Sequence, residues 1–342
     1  MLFPKINNME VVKEGIYSGI LTVIILGLIG VGIFYVLYKK NLASIQCKNL
    51  DKKYDTLNGK LRSITPKDPK CQKTLKDYYI KTAYNCCSLG KYKNDYVGLC
   101  ILINIIKQGT RCLDFEIFTV DDQPVVATST TDNYDVKETY NSIPFSDVMK
   151  YIYNYCFSGG MCPNPEDPLI INLRFKTVNQ NTYTKVANIL SQYSNRLLGN
   201  TYSFGYNGKN LGNVKLTDLQ NKIIIAVDKS NPAFLDNKNF YEYVNIISNS
   251  EYMRTLRVYD IVYSPDMNEL INYNKYNMSI CLPDKGANPS NPNIDKIKES
   301  GTQMVAMMYQ HPDENLDKIN FIFDETGYAF VLKPTQLLAI SS

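Results

Sequence analysis

Residues 106–116 read Ile-Lys-Gln-Gly-Thr-Arg-Cys-Leu-Asp-Phe-Glu, and two hydrophobic periods meet inside them. Upstream, Val97 to Gln108 carries apolar residues at helical spacing. Downstream, Arg111 to Phe118 alternates as a strand, which puts Asp114 and Glu116 on one face. Further out, a second strand is expected at Pro124–Thr128 and a helix at Phe145–Phe157. Pro168 then opens a strand at Leu169–Phe175, followed by a helix at Tyr183–Leu198 and an apolar strand at Lys222–Val227. Strands separated by helices at this rhythm predict an α/β fold with parallel strands.

Composition narrows the function classes. With 44% hydrophobic and 12% aromatic residues, the 342-residue chain can bury a sizeable core. Its net charge of +4 is small, and no basic block exceeds Lys39-Lys40 or Lys52-Lys53, so nucleic acid is not an expected partner. The 31 lysines against 6 arginines, with 36 asparagines, carry the mark of an AT-rich genome such as that of a large DNA virus.

Gly15 to Tyr38 is a run of 24 residues without a charge, closed by Lys39-Lys40. Roughly 20 apolar residues span a bilayer, so 15–38 is expected to be a transmembrane helix and the lipid bilayer the chain's first partner. The run is too long for the core of a cleaved signal, and Tyr35, Val36, Leu37 and Tyr38 are too bulky for a cleavage site. Residues 1–14 form a tail. Residues 39–70, polar and ending in Pro66-Lys67-Asp68-Pro69, are expected to be a stalk. Lys39, Lys40, Lys48, Lys52 and Lys53 follow the span, whereas Lys5 and Lys13 before it are offset by Glu10 and Glu14. That bias predicts a single-pass protein with its large domain in the cytoplasm, and a viral source would put it in a host membrane or a virion. The nine cysteines (47, 71, 86, 87, 100, 112, 156, 162 and 281) are odd in number, lack CxxC spacing and read mostly as buried thiols. A lone sequon, Asn277-Met278-Ser279, would matter only outside the cytoplasm.

The segment 106–116 resembles the helix-to-strand passage in the X region of phosphoinositide-specific phospholipase C. Pro124-Val125-Val126, Pro144-Phe145-Ser146-Asp147-Val148, Pro168-Leu169-Ile170-Ile171-Asn172-Leu173 and Leu219-Gln220-Asn221-Lys222-Ile223-Ile224-Ile225 continue the likeness in the family's order. Gly301-Thr302-Gln303-Met304-Val305-Ala306-Met307-Met308-Tyr309-Gln310 and Gly327-Tyr328-Ala329-Phe330-Val331-Leu332-Lys333-Pro334 resemble its Y region. The likeness implies a distorted TIM barrel behind the transmembrane helix, with an X-like half at 71–230 and a linker and Y-like half at 231–342. No segment resembles the pleckstrin, EF-hand or C2 modules that many such enzymes carry.

The same likeness implies that the chemistry is gone. Family members use two histidines and Ca²⁺ to cleave a phosphodiester. The first histidine position is matched by Tyr84, in Thr82-Ala83-Tyr84-Asn85, and the second by Thr128; the chain's one histidine, His311, matches neither. Asn85, Asp114 and Glu116 match Ca²⁺ ligands, but the fourth ligand, a glutamate, is matched by Arg174. The family's phosphate-holding lysines are matched by Ala226 and Asp228, and its Ser-Arg-x-Tyr segment by Ser279-Ile280-Cys281-Leu282, so Ile280 and Leu282 replace substrate contacts. A phenol such as that of Tyr84 is a poor general base near neutrality. The expectation is a phospholipase C-like pseudoenzyme without cofactor, its relic Ca²⁺ site empty and bridged by Arg174, serving as a structural or interaction module with an unidentified protein partner. The alternative is a divergent phosphoric diester hydrolase acting on lipid headgroups through a rebuilt site.

Overall fold

The computed structural model describes residues 8–204 and 209–339. The chain divides into two compact units, Met1–Ile45 and Gln46–Ser342. Helix α1 (Asn8–Tyr54) starts in the first. Its apolar side chains from Ile16 to Tyr38 are exposed, and an 18-residue window reaches a mean hydropathy of 2.8, so this helix is long and apolar enough to cross a membrane.

The second unit is built on parallel strands. In chain order these are β1 (Tyr78–Ala83), β2 (Cys112–Val120), β3 (Gln123–Ala127), β4 (Ile143–Pro144), β5 (Leu169–Phe175), β6 (Ile223–Asp228), β7 (Ile246–Ser248), β8 (Met253–Arg257), β9 (Met278–Leu282), β10 (Met304–Met307) and β11 (Phe330–Leu332). Eight of them lie in the order β7-β6-β5-β2-β1-β10-β9-β8, each pair parallel. This is a nearly closed, distorted TIM barrel whose one seam lies between β7 and β8, which are consecutive in the chain. β3 and β4 form an antiparallel excursion on β2, and β11 pairs antiparallel with β1; neither departure from parallel order was anticipated.

Strand parity fills the barrel. Cys112, Ile170 and Ile224 stand side by side on β2, β5 and β6, and they join Ile80, Met278, Ile280, Met304 and Ala306 in the core. Two residues further along β2 and β5 the layer turns polar, with Asp114 beside Asn172, and one layer higher Glu116 stands beside Arg174. The change from apolar to polar along the same inward-facing parity creates a site at the carboxyl ends of the strands.

Helices α2 (Leu99–Lys107) and α3 (Phe145–Cys156) fall where their periodicity places them. Helix α4 (Gln180–Ser191) starts and stops earlier than the pattern 183–198 suggests. Asn179 caps it by accepting from the Asn181 amide at 2.9 Å, and beyond Ser191 the chain tightens into turns such as Tyr193 N–H to Leu190 O at 2.9 Å.

From Gln46 on, the expected stalk at 39–70 is instead part of the folded second unit. α1 continues to Tyr54, and Leu50, Tyr54, Leu61 and Ile64 are buried within the second unit. The Tyr54 hydroxyl donates to the Tyr309 carbonyl at 3.1 Å, the Asn58 amide to the Lys107 carbonyl at 3.0 Å, and the Ile64 amide to Asp167 Oδ1 at 2.7 Å. Gly109, at φ 74°, leaves the room this segment needs, because a Cβ there would lie 2.6 Å from Leu61 Cδ1. The reading of the nine cysteines as mostly buried thiols holds, with one pair as the exception. Seven are free and buried, but Cys47 is bonded to Cys100 on α2.

Lys81 on β1 is buried, with its Nζ lacking a hydrogen-bond partner and 5.9 Å from the centre of the Phe323 ring. Burial pushes its ammonium pKa down to about 8, only partly opposed by the charge of Asp324. The unfolded chain holds that proton more tightly, so this lysine penalises folding below about pH 8 and the penalty fades toward pH 10.5. Lys81→Met is therefore expected to raise stability at pH 7 by about 1–3 kcal/mol. Chemical denaturation of both proteins at pH 7 and 9 should show the advantage shrinking at the higher pH, and an equal or growing advantage would refute the assignment.

Candidate functional site

Asn85 lies two residues beyond the end of β1 and adopts a left-handed conformation, φ 42°, which asparagine tolerates better than most residues. That turn aims both its amide and its side-chain oxygen at the polar layer above the core. The amide donates to Asp114 Oδ2 at 3.1 Å, and Asn85 Oδ1 accepts from Arg174 Nη2 at 2.9 Å. The Arg174 guanidinium is the hub. Nε donates to Asp114 Oδ1 at 2.9 Å, Nη2 to Asp114 Oδ2 at 2.8 Å, and Nη1 to Glu116 Oε1 at 2.7 Å. The first two bonds form the planar two-pronged grip that a guanidinium makes on a carboxylate.

The carboxylates are held from their other sides as well. Asn172 Nδ2 donates to Asp114 Oδ1 at 2.7 Å, and the Ser129 amide to Glu116 Oε2 at 2.9 Å. Asp114 is fully buried, and Glu116 and Arg174 are 2% and 4% exposed, so these charges meet away from bulk water. Burial alone would lower the guanidinium pKa, but Asp114 and then Tyr84 and Glu116 override it and hold the pKa well above its ordinary value. The Tyr84 ring covers the guanidinium, its centre 4.7 Å from Arg174 Cζ, and packs edge-on against Tyr92 at 5.5 Å. The Tyr84 hydroxyl accepts from Arg257 Nη1 at 3.4 Å, and that same nitrogen donates to the Pro283 carbonyl at 2.7 Å.

The other sequence candidates are dispersed. Thr128 Oγ1 donates to the Tyr92 carbonyl at 3.0 Å and is buried. Ala226, Ile280 and Leu282 belong to the apolar interior of the barrel. Of Ala226, Asp228, Ile280 and Leu282, the candidates for substrate positions, Asp228 alone reaches the mouth. There its Oδ1 accepts from the Ser230 amide at 3.0 Å, Ser230 Oγ at 2.9 Å, Asn249 Nδ2 at 3.0 Å and Ser248 Oγ at 3.2 Å.

Above Arg174 opens a cleft of about 350 Å³ whose walls include Asp132, Lys176, Asp228, Arg257 and Lys285. Asp132 bridges two of the cations: Lys176 Nζ donates to its Oδ1 at 3.3 Å, and Lys285 contacts its Oδ2. His311 does not line this cleft; burial lowers its pKa, partly opposed by Asp313 and Asp95. Sequence reasoning missed Asn172, Arg257, Lys176 and Lys285. Asn172 shares inward parity with Arg174 and was within reach of the same argument; Arg257 and Lys285 come from β8 and the loop after β9, whose position only the closed barrel reveals.

A parallel barrel with its polar cluster at the carboxyl ends of the strands defines a TIM-barrel protein with the enzyme-type site location. The model for "Phosphatidylinositol-specific phospholipase C, X domain" matches residues 71–229, and that for the Y domain matches 220–336. The chain belongs to the phosphatidylinositol-specific phospholipase C family. Among solved structures it is similar to L. pealei PLC21, with a TM-score of 0.62 at 16% identity, over 79% of this chain and 38% of that one. It is likewise similar to S. officinalis PLC21, with a TM-score of 0.62 at 15% identity, over 80% of this chain and 38% of the other. It thus spans well under half the length of these two structures, and the likeness at such identities is one of fold. The Ca²⁺-dependent enzyme of Streptomyces antibioticus aligns over 76% of this chain and 98% of its own, at 8% identity and a TM-score of 0.47. A search of curated proteins finds no match.

Proposed function

We propose that this chain is a non-catalytic phospholipase C-like barrel, anchored in a membrane by residues 15–38 and acting as an interaction module. The observation that carries the reading is the Arg174 guanidinium seated among Asn85 Oδ1, Asp114 and Glu116, the residues matched to metal ligands. A divalent cation there would need the same oxygens, and it would lie beside a fixed positive charge that neighbouring carboxylates hold protonated. The residues present therefore do not fit Ca²⁺. Nor is there an imidazole to move a proton at the mouth, since the chain's single histidine lies elsewhere. Tyr84 and Thr128 are committed to holding the barrel together, one over Arg174 and one on the Tyr92 carbonyl.

What remains at the mouth is a recognition surface. Lys176, Arg257 and Lys285 outnumber Asp132 and Asp228 around the cleft, three cations to two acids. The alternative of a divergent phosphodiesterase draws its support from those same cations, which could steady a phosphate, but it has no imidazole there, and the carboxylates of the cleft are already engaged, Asp132 by Lys176 and Lys285 and Asp228 by Ser230, Ser248 and Asn249.

Full-length protein reconstituted in liposomes of phosphatidylinositol and its phosphates is expected to release no inositol phosphate above the protein-free control, with Ca²⁺ or with chelator. Losing the proton-transfer groups and the metal costs orders of magnitude each. Release that depends on Ca²⁺ would overturn the non-catalytic reading, and release that ignores Ca²⁺ would favour the divergent hydrolase.

A further inference from the structure

The end of α1 and helix α2 run side by side in the same direction, joined at three successive turns. Cys47 is bonded to Cys100, Asn104 Nδ2 donates to Asp51 Oδ1 at 2.8 Å, and Lys107 Nζ donates to Asp55 Oδ1 at 2.7 Å. Gln46 Nε2 adds a bond to Asp95 Oδ1 at 2.9 Å. Residues 47, 51 and 55 are four apart and their partners on and beside α2 are three or four apart, so one helical face meets another in register. The two cysteines thus occupy matched positions in a docked helix pair, with Cα atoms 5.8 Å apart, a separation that a disulfide spans without moving the backbone.

From this clasp we infer that Cys47–Cys100 is a standing disulfide of the working protein and that the barrel lies on the non-cytoplasmic side of the membrane. The inference rests on residues 15–38 crossing the bilayer. Persistent disulfides are rare in the cytosol, where thiol reductants keep cysteines reduced. The bond closes a loop over a sequence separation of 53, so the folded unit gains from it chiefly through the entropy it removes from the unfolded chain. Its formation takes one proton from each thiol and two electrons from the pair, which pass to a protein or small-molecule disulfide of that compartment, itself reduced to two thiols. The remaining seven cysteines are buried, so none stands exposed to exchange with the bond in the folded chain.

The lysine bias that pointed the other way weakens on the same facts. Five lysines follow the span in the sequence, but Lys48, Lys52 and Lys53 lie in the folded unit that begins at Gln46. Large folded domains cross membranes largely regardless of charge. Set aside those three, and Lys39 and Lys40 face Lys5 and Lys13, two against two, because acids such as Glu10 and Glu14 count little in this bias.

The test uses the full chain in living cells with a secretory pathway. Cells are quenched in acid and denatured in an alkylating reagent, then reduced and treated with a second reagent of different mass. The expected result is seven cysteines carrying the first label and two, Cys47 and Cys100, carrying the second; Cys100→Ser should give eight and none. In sealed microsomes, added protease should leave residues 46–342 intact until detergent is supplied. Nine first labels would overturn the disulfide. An oxidised pair in a barrel that protease digests without detergent would overturn the placement. Release of the chain by alkaline carbonate would overturn the span on which the placement rests while leaving the disulfide count to stand by itself.

Discussion

Arg174→Ala is expected to destabilise the barrel by about 3–5 kcal/mol, the range for removing one partner of a buried ion cluster. The magnitude follows from what is left behind. Asp114, fully buried, would lose two charge-assisted bonds and keep only Asn172 Nδ2 and the Asn85 amide, while Glu116 would keep the Ser129 amide. Two carboxylates on adjacent layers of β2 would then repel each other without a cation between them. The Tyr84 ring would also lose the guanidinium beneath it. Arg174→Lys should fall between wild type and alanine, because an ammonium keeps the charge but cannot grip Asp114 with two nitrogens while reaching Glu116 and Asn85. Equilibrium denaturation in urea measures all three. An alanine variant within about 0.5 kcal/mol of wild type, the scale of an ordinary surface substitution, would mean that water or local movement already neutralises the acids.

Arg174→Glu should have a larger effect, and one that a metal reverses. A third carboxylate beside Asp114, Glu116 and the oxygen of Asn85 makes an all-oxygen set of the kind Ca²⁺ takes. In chelator this variant is expected to be less stable than the alanine variant, since repulsion adds to the loss of pairing. In Ca²⁺ it should recover, by about 2.7 kcal/mol when the free ion stands at a hundred times its dissociation constant. Thermal unfolding in Ca²⁺ and in EDTA makes the comparison. Equal melting of the variant in both would show that the oxygens are too far apart or too tightly held to converge on an ion.

The cluster was legible in the sequence because strand parity is a strong constraint. Asp114 and Glu116 two apart on β2, and Arg174 on a strand matched to a ligand position, had to share the barrel interior once the strands were right. Tyr84 was read only as a lost histidine. Its place as an aromatic cover over Arg174 depends on the left-handed turn at Asn85, a backbone feature that an Asn in the sequence permits but does not announce. The stalk was misread because Lys48, Asp51, Lys52, Lys53 and Asp55 dominate its composition, although Cys47, Leu50 and Tyr54 already mark one helical face at i, i+3 and i+7. Those three positions now form the disulfide and the buried contacts. β7, three residues long, carries too little pattern to be read without the neighbours that pair with it.

Everything proposed about the site turns on whether the guanidinium has taken the cation's place, and one comparison addresses that without relying on any variant. Wild-type protein is unfolded by heat in millimolar Ca²⁺ and in EDTA, at matched ionic strength. A guanidinium already seated on Asn85, Asp114 and Glu116 leaves no room for the ion, so the two melting temperatures should coincide. A melting temperature that rises clearly with Ca²⁺, saturating as the ion is titrated, would mean that the metal still binds there and that Arg174 does not replace it.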